Sequence, residues 1–407
     1  MLRINEIHIQ GVGPIRDLTI SLNPHFNIIC GANGIGKTTI LNCIAQSFTY
    51  NSWTVRKNAS SQKGNWTLQY VHDAVQVSSN EDGSPKIENV IKQDSFTHEI
   101  KSTYLYENEK NGIGIYREAT KIILFSVNRL FNYINVENIS KDPLISEVEF
   151  GAKTISGQNP NHIKNWFVNR YLWSAQPGVL APAQIANLEI AIYCFKWINP
   201  DYSFLRVDHV NNDIIIATSK GDIELEQLSA GYISMIAVLI GIINEIEYRN
   251  RENPIPVSDF NGVVIIDELD VHLHPSMQTA MYFALNNLLP NAQIITSTHS
   301  PHIIQVAKPS EIIPLVSDGK ETVINPLINK EYGCQGWTVE EILSDVMGMQ
   351  SIRAIAYEKL ISDFGKAVDA SDGKAAKACF DKLEQMLHPN SYLKEVLKIQ
   401  MIGLDYD

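Results

Sequence analysis

Apolar and polar residues alternate from the start of the chain, and "LRINEIHIQGVGPIRDLTISL" reads as two strands around a Gly-Pro turn. "FNIICG" follows as a short buried strand and "KTTILNCIAQSF" as an amphipathic helix. Residues 53–127 are strand-rich, with "WTLQYVHDAVQVSS", "HEIKSTYLYE" and "KIILFSV" separated by polar turns such as "NEDGSPK". The period then changes. From about residue 128 to 200, "NHIKNWFVNRYLWS" and "APAQIANLEIAIYCFKWI" carry apolar residues at helical spacing. Two alternating segments, "YSFLRVDHV" and "DIIIATS", lead into a long helix from Ser229 to about Arg249. "GVVIIDE" is a buried strand, "PSMQTAMYFALNNLL" a helix, and "AQIITSTHS" and "EIIPLVS" two more strands. Such strand-helix-strand alternation predicts an α/β fold, with a parallel sheet covered on both faces.

The character shifts after Lys330. Thr338 and Glu341 form a capping box ahead of a helix, and residues 351–403 show apolar positions at helical spacing. The expected organisation is therefore a head over residues 1–330, with a helical insertion at about 128–200, and a helical C-terminal region over 331–407 that could serve assembly or partner docking.

Composition narrows the class. The chain has 407 residues, 44% hydrophobic and 19% charged, which suits a soluble globular protein of roughly two to three domains. A net charge of -12 argues against nucleic-acid binding over the whole surface and leaves room only for a local basic groove. The five cysteines (Cys30, Cys43, Cys194, Cys334, Cys379) are scattered and lack CxxC spacing. They predict a reduced, cytoplasmic chain without disulfides or a zinc site. The N-terminus has no signal-peptide core, and the longest apolar stretch, "MIAVLIGII", is too short for a bilayer. No membrane partner is expected.

The chemistry sits in a few short stretches. "GANGIGKT" and the next residue, Gly31, Ala32, Asn33, Gly34, Ile35, Gly36, Lys37, Thr38 and Thr39, lie between a strand and a helix and match G-x-x-x-x-G-K-[ST] in full. The glycines let backbone N–H groups close around phosphate oxygens, Lys37 reaches the β- and γ-phosphates, and the Thr38 hydroxyl ligates Mg²⁺. ATP or GTP is the expected ligand. "VVIIDE" ends in Asp267 and Glu268 at the C-terminal end of a buried strand, where open α/β sheets place their ligands. Asp267 suits the magnesium shell and Glu268 the general base for the attacking water. His299, just past the next strand, is placed to hydrogen-bond a γ-phosphate. His272, His274 and His302 have no metal-binding spacing. "EQLSAGYIS" adds a second Ser-x-Gly turn at a helix start, another place for phosphate.

The ordered set "GANGIGKT", "LSAGY", "IIDELD" and "STHS" resembles the ATPase heads of the ABC superfamily, in the SMC, RecF and OLD branch. There a P-loop parallel sheet is joined to an antiparallel strand lobe, and the Walker B strand often continues to "LHP", as at Leu273-His274-Pro275. The resemblance covers roughly residues 1–330. It implies that the signature residues Ser229, Ala230 and Gly231 act in trans, capping the γ-phosphate of ATP held by a partner's Lys37, so that the protein is a dimer or higher homo-oligomer. It places Asp270 in the D-loop that links the two sites. Tyr232 departs from the Gln or Glu common after the signature glycine, no Q-loop glutamine is assigned, and Arg129 stands where the head meets the insertion.

A transporter is excluded by the lack of a membrane segment, and a long-armed SMC protein by the lack of heptad arms or a zinc hook. "DELDVHLHP", the compact insertion and "GWTVEEILSDVMGM" look most like the PtuA family of Septu and retron-associated anti-phage systems. Residues 331–407 are too few for the TOPRIM nuclease domain of OLD proteins, and no HNH-like cluster is present. The resemblance thus implies a Mg²⁺-dependent ATPase, not itself a nuclease, that regulates a separate HNH nuclease of the PtuB kind. The alternative is a compact RecF-like repair ATPase acting on DNA alone. DNA or RNA is a further candidate ligand through "IKNWFVNRYLW", where Lys164 and Arg170 interleave with Trp166, Phe167, Tyr171 and Trp173, although an amphipathic core helix explains the same pattern.

Overall fold

The computed structural model describes residues 1–49, 55–79, 85–100, 106–107, 117–128, 136, 142, 145–156, 161–326, 331–349 and 354–404. Arg129 lies outside them. The chain begins with β1 (Leu2–Val12), β2 (Ile15–Ser21), β3 (Phe26–Gly31) and α1 (Lys37–Gln46). Then come β4 (Gly64–Ser79), β5 (Pro85–Ile100), β6 (Tyr106–Glu107) and β7 (Ile122–Phe125). The helical insertion contributes α2 (Glu147–Ser156), α3 (Asn161–Ser174) and α4 (Pro182–Ile198). A small meander, β8 (Ser203–Val207), β9 (Ile214–Thr218) and β10 (Gly221–Glu224), precedes α5 (Ala230–Arg249). The head then runs through β11 (Val263–Ile266), α6 (Pro275–Leu288), β12 (Gln293–Thr298), α7 (Pro301–Val306), β13 (Ile312–Ser317) and β14 (Thr322–Ile324).

The larger sheet has the order β14-β13-β3-β12-β11-β7 and is parallel except for β14. An antiparallel lobe has the order β2-β1-β4-β5-β6. Because side chains alternate across a strand, each parallel strand feeds two cores. Phe26, Ile28, Ile123, Val264, Ile266 and Ile294 face the helical side, where α5 contributes Ile236, Leu239, Ile240 and Ile243. Ile29, Ile122, Leu124, Val263, Ile265 and Ile295 face α1 and the antiparallel lobe. Coverage of both faces explains why these strands read as continuous apolar runs rather than alternating ones.

The apolar run "MIAVLIGII" lies within α5. That helix, at 20 residues, is long and apolar enough to cross a membrane by length and composition, so the run belongs to a longer element than its own extent suggests. In the structure 89% of its apolar window is buried, as the central helix of the head.

The chain divides into two compact units, Met1–Gly348 and Met349–Asp407, which places the break later than the expected residue 330. The cause is packing: Cys334, Ile342, Val346 and Met347 join the helical core of the first unit, and the Gln305 side chain donates to the Trp337 carbonyl at 2.8 Å. The Thr338–Glu341 capping box forms, and the short helix Val339–Glu341 continues as a π-turn over Ile342–Val346. The second unit holds α8 (Ile355–Asp369), α9 (Gly373–Met386) and α10 (Tyr392–Gln400) around Phe364, Ala376, Phe380, Leu383 and Leu397.

Candidate nucleotide site

β3 ends at Gly31 and α1 begins at Lys37, so the intervening loop must reverse tightly at the C-terminal edge of the parallel sheet. Gly36, at the N-cap of α1, has φ 113, and a Cβ there would come within 2.9 Å of the Ile15 side chain. Gly34 has φ 77 with nothing within 4 Å, leaving the loop tip clear. Ile35 is buried, and its carbonyl accepts from the Thr322 hydroxyl at 3.1 Å. Lys37 folds back over the loop and donates to the Gly31 and Ala32 carbonyls at 3.0 and 2.9 Å. Burial pulls its pKa below the ordinary lysine value, against the opposing pull of Cys30, Glu268, Asp267 and Asp270.

A cleft of about 280 Å³ opens beside this loop, lined by Asn33, Gly34, Lys37, Thr38, Thr39, Glu268 and His299, with Pro14 and Gly36 completing it. The structure thus brings the glycine-rich loop, the acidic strand end and the histidine to one place. Thr38 Oγ1 donates to Asp267 Oδ1 at 3.2 Å. These two oxygens, one hydroxyl and one carboxylate, suit a hard divalent cation held partly by phosphates. Glu268 has φ 48 and His272 has φ 64; both are non-glycine residues in the left-handed region, where strain gathers at functional sites. Burial holds the His299 imidazole below the usual histidine pKa, Lys37 adds to this, and the three carboxylates oppose it. The site therefore favours the neutral imidazole of His299.

Asp270 is engaged within its own chain: its Oδ1 accepts from the Thr298 hydroxyl at 2.5 Å and from the His299 N–H at 3.0 Å. His274 caps α6, with Nδ1 2.9 Å from Ser276 Oγ, and Pro275 takes the first helical position, so "LHP" is a helix start. Among the described residues no group of His, Cys, Asp or Glu is arranged to hold a metal by itself.

Ser229 and Ala230 are exposed at the start of α5 and do not line the cleft, while Gly231 is buried. Ser229 is the N-cap, yet its side chain makes no capping bond. Tyr232 stacks on Tyr202 with ring centroids 4.7 Å apart, so its ring serves packing in its own chain.

The basic-aromatic helix resolves as core. Lys164 is 1% exposed, and Trp166, Phe167 and Arg170 are buried. Lys164 binds Asp213 at 2.5 Å and Glu226 at 2.6 Å; burial alone would lower its pKa, but these bonds leave it raised. Arg170 and Trp166 both donate to the buried Glu247 near the C-terminal end of α5. These groups are paired inside the protein and present no groove to a nucleic acid. Ser297, the first residue of "STHS", has a role that its place in that stretch does not reveal. Its hydroxyl accepts from the Glu268 N–H at 2.7 Å and donates to Asp267 Oδ1 at 2.6 Å.

Residues 6–165 match the family model described as an AAA domain, and residues 199–304 match the one described as an AAA ATPase domain. The chain is 36% identical to the Septu protein PtuA of Bacillus thuringiensis, over 98% of each chain. It is 31% identical to the retron Ec83 probable ATPase of Escherichia coli, over 33% of this chain and 24% of that one. Among solved structures, the SMC head domain from Thermotoga maritima is similar at a TM-score of 0.45 and 14% identity, over 80% of this chain and 99% of that one.

Proposed function

The chain belongs to the Septu PtuA family of ATPases, and from that premise we propose that it dimerises around ATP and, in the cytoplasm, regulates a separate HNH nuclease in anti-phage defence. The observation that carries the reading is the convergence of Lys37, Thr38, Glu268 and His299 on one cleft at the edge of the parallel sheet.

In this reading the loop from Gly31 to Thr39 wraps the phosphates of ATP, with backbone N–H groups and Lys37 facing the β- and γ-phosphates. Thr38 and Asp267 would hold a magnesium ion, which would supply positive charge against that developing on the phosphates. Glu268 takes a proton from water as the water oxygen attacks the γ-phosphorus. The bond to the β–γ bridging oxygen breaks, and ADP leaves with that oxygen. Neutral His299 donates a hydrogen bond to a γ-phosphate oxygen.

Ser229 and Ala230 are exposed at the start of α5 and lie outside the lining of the chain's own cleft. An exposed helix N-terminus with an uncommitted serine hydroxyl suits an anion supplied from outside. Ser229, Ala230 and Gly231 therefore meet the γ-phosphate in the cleft of a second copy, and Asp270, on the loop after β11, lies between the two sites.

The chain itself cuts nothing in this account, and a PtuB-like HNH nuclease is its partner. Expression with its native neighbouring genes, followed by native mass spectrometry of what co-purifies, tests this. A small HNH protein in fixed stoichiometry supports the reading; a bare homo-oligomer that binds DNA alone moves it to a RecF-like repair ATPase.

A further inference from the structure

We propose that Ser297 is a positioning residue for ATP hydrolysis, holding Asp267 and Glu268 in working register. The inference rests on the roles given to those two carboxylates above.

β12 runs parallel to β11 and next to it. Three successive hydroxyls of β12 reach across to β11 and the loop that follows. Thr296 Oγ1 donates to the Ile266 carbonyl at 2.8 Å, Ser297 meets Asp267 and Glu268, and Thr298 Oγ1 donates to Asp270 at 2.5 Å. All three are fully buried. Together they index the strand end, residue by residue, against the segment that carries the acidic groups.

Ser297 is the central tooth. A serine hydroxyl has one proton and two lone pairs. The Glu268 N–H can only donate, so the Ser297 oxygen accepts it at 2.7 Å, and its single proton goes to Asp267 Oδ1 at 2.6 Å. The Ser297 carbonyl also accepts from the Leu269 N–H at 2.8 Å. One residue thus binds three consecutive positions. Glu268 has φ 48, a conformation unfavourable for an L-residue, and the bond from Ser297 helps to hold it there. Thr38 meets the same Asp267 oxygen that Ser297 holds, so turning that carboxylate away from Thr38 also breaks the Ser297 bond.

The test is S297A, which removes one oxygen and little volume. Turnover is measured across a Mg²⁺ titration, with ATP binding measured separately without Mg²⁺. Outer-shell partners of this kind are worth about 10- to 100-fold in metal affinity or activity, so kcat falls and the half-saturating Mg²⁺ rises by factors of about that size. Mg²⁺-free ATP affinity stays near wild type, while the unfolding midpoint falls modestly because the Glu268 N–H loses its acceptor. S297T keeps the hydroxyl and recovers turnover; where its methyl group prevents folding, S297A alone decides. Wild-type kcat and Mg²⁺ requirement in S297A overturn the inference. So does an equal loss of Mg²⁺-free ATP binding, which marks a general structural defect. E268Q run alongside separates the two readings. If E268Q turns over normally, the general-base assignment fails; if E268Q is inactive and S297A normal, only the role of Ser297 fails.

Discussion

Gly231 packs against the backbone of His272 so closely that a Cβ on Gly231 would lie 2.8 Å from the His272 carbonyl oxygen. The Ser234 hydroxyl, in the same turn of α5, donates to the Val271 carbonyl at 3.5 Å. The start of α5 and the loop after Glu268 are therefore packed directly against each other within one chain. Gly231→Ala forces one of them aside, and overpacking of this kind costs about 1–3 kcal/mol. The expected outcome is a lower unfolding midpoint and slower ATP turnover. An alanine variant that matches wild type in both would show that the contact yields freely.

Lys37→Ala removes the only side-chain ammonium that lines the cleft among the described residues. Charge-assisted hydrogen bonds contribute about 1.5–3 kcal/mol each, so ATP affinity drops by about 100-fold or more once two phosphate contacts are lost. Calorimetric titration reads this directly. Retained affinity would mean that the lysine stays folded on Gly31 and Ala32 when nucleotide binds.

Lys164→Met leaves the buried Asp213 carboxylate and the partly buried Glu226 carboxylate without the ammonium that bonds both. Breaking a buried pair by removing one partner costs about 3–5 kcal/mol, and denaturant unfolding should show a loss of that order. A variant as stable as wild type, with weakened DNA or RNA binding instead, would restore the nucleic-acid reading of this helix.

How much of this was legible in the sequence follows from the range of each interaction. The glycine loop, the acidic strand end and the Thr338–Glu341 box depend on neighbours within a few positions, so spacing alone located them. Lys164 and Glu226 meet across 62 positions, and Ser297 reaches Glu268 and Asp267 across 29 and 30. Nothing local marks such pairs. A lysine among aromatics reads the same whether it faces a nucleic acid or two carboxylates of its own chain. The later unit boundary has a similar cause, because Cys334 and Val346 are assigned by the core they join, not by their own pattern.

His299 offers a pH test. Burial, reinforced by Lys37, lowers its pKa below 6.5, so the native state favours neutral imidazole. Its contribution to stability is complete above pH 6.5 and declines as the pH falls below that value, where the unfolded chain takes up the proton first. An NMR titration of the nucleotide-free protein, with the signal assigned by His299→Gln, should give a midpoint below 6.5. A midpoint at or above 6.5 contradicts the placement of His299 beside Lys37.

If two copies close around ATP, Ser229 of one reaches the cleft of the other. Measuring the solution mass of Glu268→Gln with and without MgATP tests it most directly, alone and combined with Ser229→Arg. MgATP should drive Glu268→Gln into a larger, long-lived assembly, and Ser229→Arg should abolish this shift while ATP binding persists. An assembly that forms equally well with Ser229→Arg, or a mass that ignores ATP, would contradict it.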